Sequence, residues 1–232
     1  MNKKFFLLIL AGAMLLGLAA CGSAVPAPAP ETAAATPTEV PAQATEAPVQ
    51  ETAAPAETGS GALVIYFSRT GEQYTVGVIE KGNTAIVAEM IAEKTGADLF
   101  EVLPAEDNYP MTYDALLDVA RQEQRDKARP ACKGELPDLA AYDTVFIGAP
   151  VWWGDWPMIM YTIFENNDFS GKRLVPFSTH EGSGLSGFDR KLAAACPDAE
   201  ILTGLAVRGN DAQNRPDAVR ESVNGWLADL GY

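Results

Sequence analysis

Histidine is all but missing from this sequence: His180 is the only one in 232 residues. Cysteine is nearly as scarce, and Cys21, Cys132 and Cys196 stand far apart. No Cys/His cluster with metal-ligand spacing can be drawn from such a set, so no metal site is expected. Cys196 ends an Ala-rich helical stretch and reads as a small core residue, while Cys132 lies in a loop after a charged helix; no bridge between them is expected. Positive charge is also short, with 17 basic against 31 acidic residues. Residues 61–232 hold 26 of the acids and 15 of the bases, a net charge of −11. That balance argues against nucleic acid, which needs a basic footprint. It suits docking to a basic protein surface, and equally it serves solubility.

Residues 22–60 lack Lys, Arg and aromatic side chains, and are mostly Ala, Pro, Thr and Glu. Such a stretch buries too little surface to offset its ordering entropy. A disordered tether is expected, spanning about 35 Å as a flexible coil and more where proline extends it. No apolar run is long enough for a comfortable membrane span. Phe5 to Leu18 is the nearest, preceded by Lys3 and Lys4 and followed by Leu18-Ala19-Ala20-Cys21. That order describes a secretory signal over residues 1–21. Leu-Ala-Ala-Cys resembles a bacterial lipobox, which implies lipidation of Cys21 and a lipid anchor on the extracytoplasmic face of the cell membrane.

The remainder, 61–232, suits one domain. Ala62–Ser68, Asp98–Leu103, Thr144–Ala149, Arg173–Ser178 and Glu200–Val207 read as strands. The first, third and fourth are near-continuous apolar runs, the mark of strands buried on both faces. Helices are expected at Asn83–Lys94, Tyr113–Ala128, Pro157–Glu165, Phe188–Ala195 and Pro216–Leu230. Five strands alternating with five helices predict an α/β fold with a doubly wound, five-stranded parallel sheet. Ligands in such sheets bind beyond the carboxyl ends of the strands.

Three loops fall at such ends. Ser68-Arg69-Thr70-Gly71 with Gly82-Asn83-Thr84 can present hydroxyls and N–H groups to an anion at a helix start, and Asn83 or Thr84 is a natural N-cap. Arg69 either reaches that anion or is solvated. Pro150-Val151-Trp152-Trp153-Gly154 sets adjacent tryptophans after the third strand, where a flat aromatic ligand would cover them. Trp153 is the expected ring contact, with Trp152 left open by the spacing, and Trp156 is expected in the core. Thr179-His180-Glu181-Gly182-Ser183-Gly184 follows the fourth strand, with glycines that admit close backbone approach. Gly182 to Gly187 is also a literal G-x-G-x-x-G, but it sits too late in the domain to open a dinucleotide-binding unit.

Taken in order, these loops resemble those of flavodoxins, over essentially all of 61–232. The resemblance implies strand order 2-1-3-4-5 and non-covalent FMN, held by Ser68, Arg69, Thr70, Asn83 and Thr84 at the phosphate. It implies Pro150, Val151, Trp152, Trp153 and Gly154 on one side of the ring, with Thr179, His180, Gly182, Ser183 and Gly184 at its edge. Two departures stand out. The phosphate loop is split by Glu72 to Gly82, and no tyrosine follows the third loop. The outer face of the ring is then either open or covered by the first loop through Tyr74.

The implied function is electron transfer with redox partner proteins. Two alternatives stay open: an FMN-dependent NAD(P)H:quinone or azo-type oxidoreductase, and a non-redox solute-binding lipoprotein. No general base, nucleophile or metal constellation stands out, so no catalytic residue is assigned.

Overall fold

A computed structural model describes residues 61–232. The signal segment, the tether and Cys21 lie outside these residues. Among the described residues no helix is long and apolar enough to cross a membrane.

The described residues open with β1 (Ala62–Tyr66), whose five residues are all buried. A small antiparallel hairpin follows, β2 (Gly71–Gln73) and β3 (Gly77–Ile79). Then come α1 (Asn83–Thr95), β4 (Asp98–Glu101), α2 (Tyr113–Asp126) and β5 (Thr144–Pro150). They are followed by α3 (Met158–Asn166), β6 (Arg173–His180), α4 (Phe188–Ala195), β7 (Glu200–Ile201) and β8 (Leu205–Arg208). The short α5 (Gly209–Asn214) and the closing α6 (Pro216–Asp229) complete it. The main sheet runs β4-β1-β5-β6-β7, with β8 also on β6, and every pairing in it is parallel. This is the expected 2-1-3-4-5 order with the fifth strand in two pieces.

Alternation along the strands divides the core in two. Leu63, Ile65, Val145 and Ile147 face α2, α3 and α4, where Trp156, Ile159, Phe188 and Leu192 pack. Val64, Tyr66, Phe146 and Val175 face the other way, onto Val87 and Ile91 of α1 and Val223, Trp226 and Leu227 of α6. Gly148 is required inside β5, because a Cβ there would stand 2.0 Å from the Phe177 ring.

The fifth strand is expected as one run and is interrupted instead. Pro176 accounts for this. Arg173 N–H donates to Asp143 O on the β5 side, and Leu174 O accepts from Leu202 N–H on the other side. By alternation Pro176 turns toward the fifth strand too, and it has no N–H to give. The chain departs there: Ile201 pairs with Leu174 but Leu205 with Phe177, so one extra residue is bulged out.

Two helix starts also differ from expectation. Gly82, not Asn83 or Thr84, is the N-cap of α1, and Pro157 is the N-cap of α3 rather than part of its first turn. Cys132 and Cys196 are unbridged, with Cys196 buried in the core.

Candidate functional site

The carboxyl ends of β1, β5 and β6 are neighbours in the sheet, so the loops that follow them meet. β1 hands over to Ser68, whose Oγ accepts a 3.0 Å hydrogen bond from Ala85 N–H in the first turn of α1. This cap comes from across the loop, because Gly82 has no side chain to supply one. Nor has it room for one: a Cβ at Gly82 would lie 2.1 Å from Ser68 Oγ and 2.7 Å from Arg69 O. Asn83 and Thr84 open α1, whose leading N–H groups have no intrahelical acceptor and carry the positive end of the helix dipole. Thr84 is buried, its Oγ1 2.8 Å from Thr179 Oγ1. That bond ties the start of α1 to the end of β6.

Arg69 turns its guanidinium to the segment 107–111. Nη1 donates to Asp107 at 2.9 Å and Nη2 to Tyr109 O at 2.7 Å. Its Nε–H is buried and has no acceptor among the described residues. The insertion between the halves of this loop is the β2–β3 hairpin.

After β5 the chain makes a two-residue turn. Trp152 N–H donates to Asp155 O and Asp155 N–H to Trp152 O, both at 2.9 Å. Trp153 and Gly154 at its tip have φ of 50° and 72°. A left-handed conformation is normal for glycine and uncommon for a bulky residue. Trp153 is held there by α2: its Nε1–H donates to Leu117 O at 3.0 Å, and the Arg121 guanidinium lies 3.6 Å from the ring centroid. Trp152 is half-buried, edge-on to Phe67 and Tyr109. Trp156 is buried and stacks on Phe188 at 3.6 Å between centroids, as a core residue should.

After β6, His180 Nδ1 accepts a 2.8 Å hydrogen bond from Gly182 N–H. The ring is therefore neutral with its proton on Nε2. Burial holds its pKa below the ordinary 6.5; Glu181 opposes that shift and Arg208 adds to it. Ser178 Oγ donates to Gly184 O at 3.1 Å, folding the glycine loop back over its strand. Glu181 accepts from Asn210 N–H at 2.6 Å. Lys191 of α4 bonds Asp155 at 3.1 Å, Ser186 O at 3.2 Å and also Gly154 O, and so joins the second loop to the third.

Together these segments enclose a cavity of about 250 Å³. Asn83, Pro150, Val151, Trp152, Trp153, Thr179 and His180 line it. Ser68, Arg69, Thr70, Thr84, Gly154, Gly182, Ser183 and Gly184 stand behind or beside these residues and are not in the cavity wall. The wall also holds residues not expected from sequence: Gln73 of the hairpin, Glu181, and a side made by α2 from Tyr113, Leu116, Leu117 and Ala120. Leu116 and Ala120 carry an apolar stripe that does not say whether it faces core or ligand. The readable signal was Tyr113, an aromatic residue at the exposed start of a helix. Tyr74, expected as a cover for the outer face, is in the wall and stacks on Tyr113 with centroids 5.5 Å apart and planes at 26°.

The flavodoxin family model matches residues 62–224, which takes in every strand and all but the end of α6. The chain belongs to the flavodoxin family. A candidate flavoprotein from Bacteroides uniformis ATCC 8492 is 31% identical over 73% of this chain and 99% of its own, with a TM-score of 0.59. Another, from Bacteroides eggerthii DSM 20697, is 29% identical over 68% of this chain and 96% of its own, with a TM-score of 0.53. A Lactobacillus acidophilus NCFM flavoprotein, solved in complex with FMN, shares the fold at 22% identity and a TM-score of 0.51, over 66% of this chain and 96% of its own. No curated protein matches the chain. In this flavodoxin the first loop is opened by a hairpin, and the hairpin and α2 bring a pair of tyrosines together.

Proposed function

We propose that this flavodoxin binds FMN non-covalently and carries electrons between partner proteins, held by a lipid on Cys21 at the extracytoplasmic face of the membrane. One observation carries the reading: an aromatic-walled cavity at the carboxyl ends of three parallel strands, beside the N-terminus of α1. Small-molecule sites run upward from about 300 Å³. A cavity of about 250 Å³ suits a flat ring system with part of its rim in water.

The residues fit the two ends of FMN. At the α1 end, glycine is enforced at Gly82 and the leading N–H groups of α1 have no intrahelical acceptor, which an anion would supply. Ser68 and Thr70 lie on one half of the split loop, and Asn83 and Thr84 open α1 on the other. At the ring end, Trp152 and Trp153 offer aromatic surface, and His180 offers a neutral ring with its proton fixed on Nε2. Bound FMN would supply the redox chemistry, and the protein would supply binding, orientation and electrostatics. With a net charge of −11 over 61–232, the domain opposes further negative charge in the site. The bound cofactor is therefore expected to be harder to reduce fully than FMN in water.

The test is direct. The purified full chain is mixed with FMN, washed free of excess, and then offered NADH, NADPH or dithionite. A yellow protein reduced by dithionite and only slowly by NAD(P)H supports the carrier. Fast turnover with NAD(P)H and a quinone makes it a reductase. A colourless protein defeats both and leaves the solute-binding reading. Cys21→Ser should release the chain from the membrane fraction; retention there would remove the lipid anchor.

A further inference from the structure

We infer that the hairpin β2–β3 is a fixed cover, in which Tyr74, backed by Tyr113, takes one face of the bound ring and bars a second planar substrate from that side. This rests on the reading that the cavity takes FMN. The eleven residues that split the phosphate loop then have a purpose: they supply the outer aromatic side chain that the third loop lacks.

The hairpin is sewn down at its base. Glu72 N–H donates to Met111 O at 2.8 Å, and the Glu72 carboxylate accepts from Tyr113 N–H at 2.9 Å. The second bond caps the first turn of α2, so one residue of the insertion fixes the backbone that carries Tyr113. Gly71 sits against the same segment with φ of 85°; a Cβ there would be 2.7 Å from Met111 O. Across the hairpin, Ile79 pairs with Gly71 and is buried, which anchors the second strand as well. Tyr74 follows β2 directly, one residue into the turn. With the base held, Tyr74 is 55% exposed, stacked on Tyr113 and part of the cavity wall. An aromatic ring left half in water beside an aromatic cavity gains by covering a flat ligand. Val78, by contrast, is 81% exposed on the hairpin and absent from the cavity wall, so the apolar character of the insertion is not all spent on the site.

Tyr74 is thus assigned as a ring contact, and Glu72 as a positioning residue acting through Tyr113. The test uses the full chain as wild type, Tyr74→Phe, Tyr74→Leu, Glu72→Gln and Glu72→Ala. Three readouts are FMN dissociation constant, quenching of flavin fluorescence on binding, and rate of reduction by NADPH. Tyr74→Leu should weaken binding by about tenfold, restore part of the flavin emission and speed reduction by NADPH. Tyr74→Phe should keep all three near wild type. Glu72→Ala should follow Tyr74→Leu part of the way, and Glu72→Gln, which retains an acceptor, should not. A wild type that quenches FMN and a Tyr74→Leu variant that binds and quenches it equally would overturn the inference and leave the FMN reading standing. A wild type that takes up no FMN would overturn both.

Discussion

Thr84 Oγ1 and Thr179 Oγ1 share one buried hydrogen bond, 2.8 Å long, between the first turn of α1 and the end of β6. The two residues are 95 positions apart in sequence and both belong to segments read as ligand loops. Both residues are buried away from solvent. Thr84→Val preserves shape but orphans Thr179, which should cost about 1–3 kcal/mol. In a domain of this size that lowers the melting temperature by about 2–4 °C per kcal/mol. Thr84→Val with Thr179→Val removes both partners and should recover part of the loss. Thermal melts of the four proteins check this; additive losses would mean that the bond is not made.

A second prediction concerns Gly82. Its Cβ position lies 2.1 Å from Ser68 Oγ and 2.7 Å from Arg69 O. Gly82→Ala must displace the side chain, the backbone or both, at about 1–3 kcal/mol as for other overpacked sites. Ser68→Ala alone loses the cap on Ala85 N–H, worth about 1 kcal/mol. The pair should be less damaging than the sum, because removing Oγ relieves the closer contact. The Arg69 carbonyl clash remains, so full rescue is not expected. Denaturant titrations of both single variants and the double resolve the coupling.

Such details mark where sequence stops being readable. β1, β5 and β6 were legible because a strand buried on both faces needs an unbroken apolar run. The loops after them were legible because Gly, Ser, Thr and Trp are unusual company at a strand end. The hairpin was not: Gly71–Gln73 and Gly77–Ile79 are three residues each, too short for alternation to register. In one dimension Arg69 reads as an anion ligand or a solvated cation, and only the fold brings the carbonyls of Tyr109 and Pro110 to it. The break in the fifth strand carried a signal in its neighbour, since a proline in a central strand must cost one ladder bond.

The third prediction follows from the sole histidine. His180 accepts from Gly182 N–H, and burial lowers its pKa from the ordinary 6.5. In the unfolded chain the same ring titrates at about 6.5. Between that value and the folded midpoint, the unfolded state binds the proton that the folded state refuses. Stability is thus undiminished above about pH 6.5 and falls as pH drops from there through the folded midpoint. His180→Gln should remove this acid-side loss, seen as a flatter dependence of melting temperature on pH. Proton NMR gives the midpoint directly, since one histidine leaves no ambiguity of assignment. A midpoint at or above 6.5 would be wrong for this geometry.

The three tryptophans after β5 separate stability from binding, and so supply the fourth prediction. Trp156 is buried, stacked on Phe188 and bonded through Nε1–H to Phe188 O at 3.3 Å. Trp156→Ala should cost about 3–5 kcal/mol, a cavity in the middle of the α3–α4 face. Trp153 is 40% exposed and holds a φ of 50° that favours glycine. Trp153→Gly gives up the Arg121 contact, about 0.5–1 kcal/mol at an exposed site, and the Nε1–H bond to Leu117 O, about 0.5–1.5 kcal/mol. It also relieves a left-handed backbone that costs a non-glycine residue about 1–2 kcal/mol. The two effects oppose, so stability should change little. Binding should not be spared, because Trp153 is cavity wall and Trp156 is not. Melting temperature and FMN affinity measured on both variants should therefore move in opposite patterns: a large stability loss for Trp156→Ala, a large affinity loss for Trp153→Gly. If Trp153→Gly kept its affinity, the contact would pass to Trp152, which packs T-shaped against Phe67 and Tyr109 and also lines the cavity.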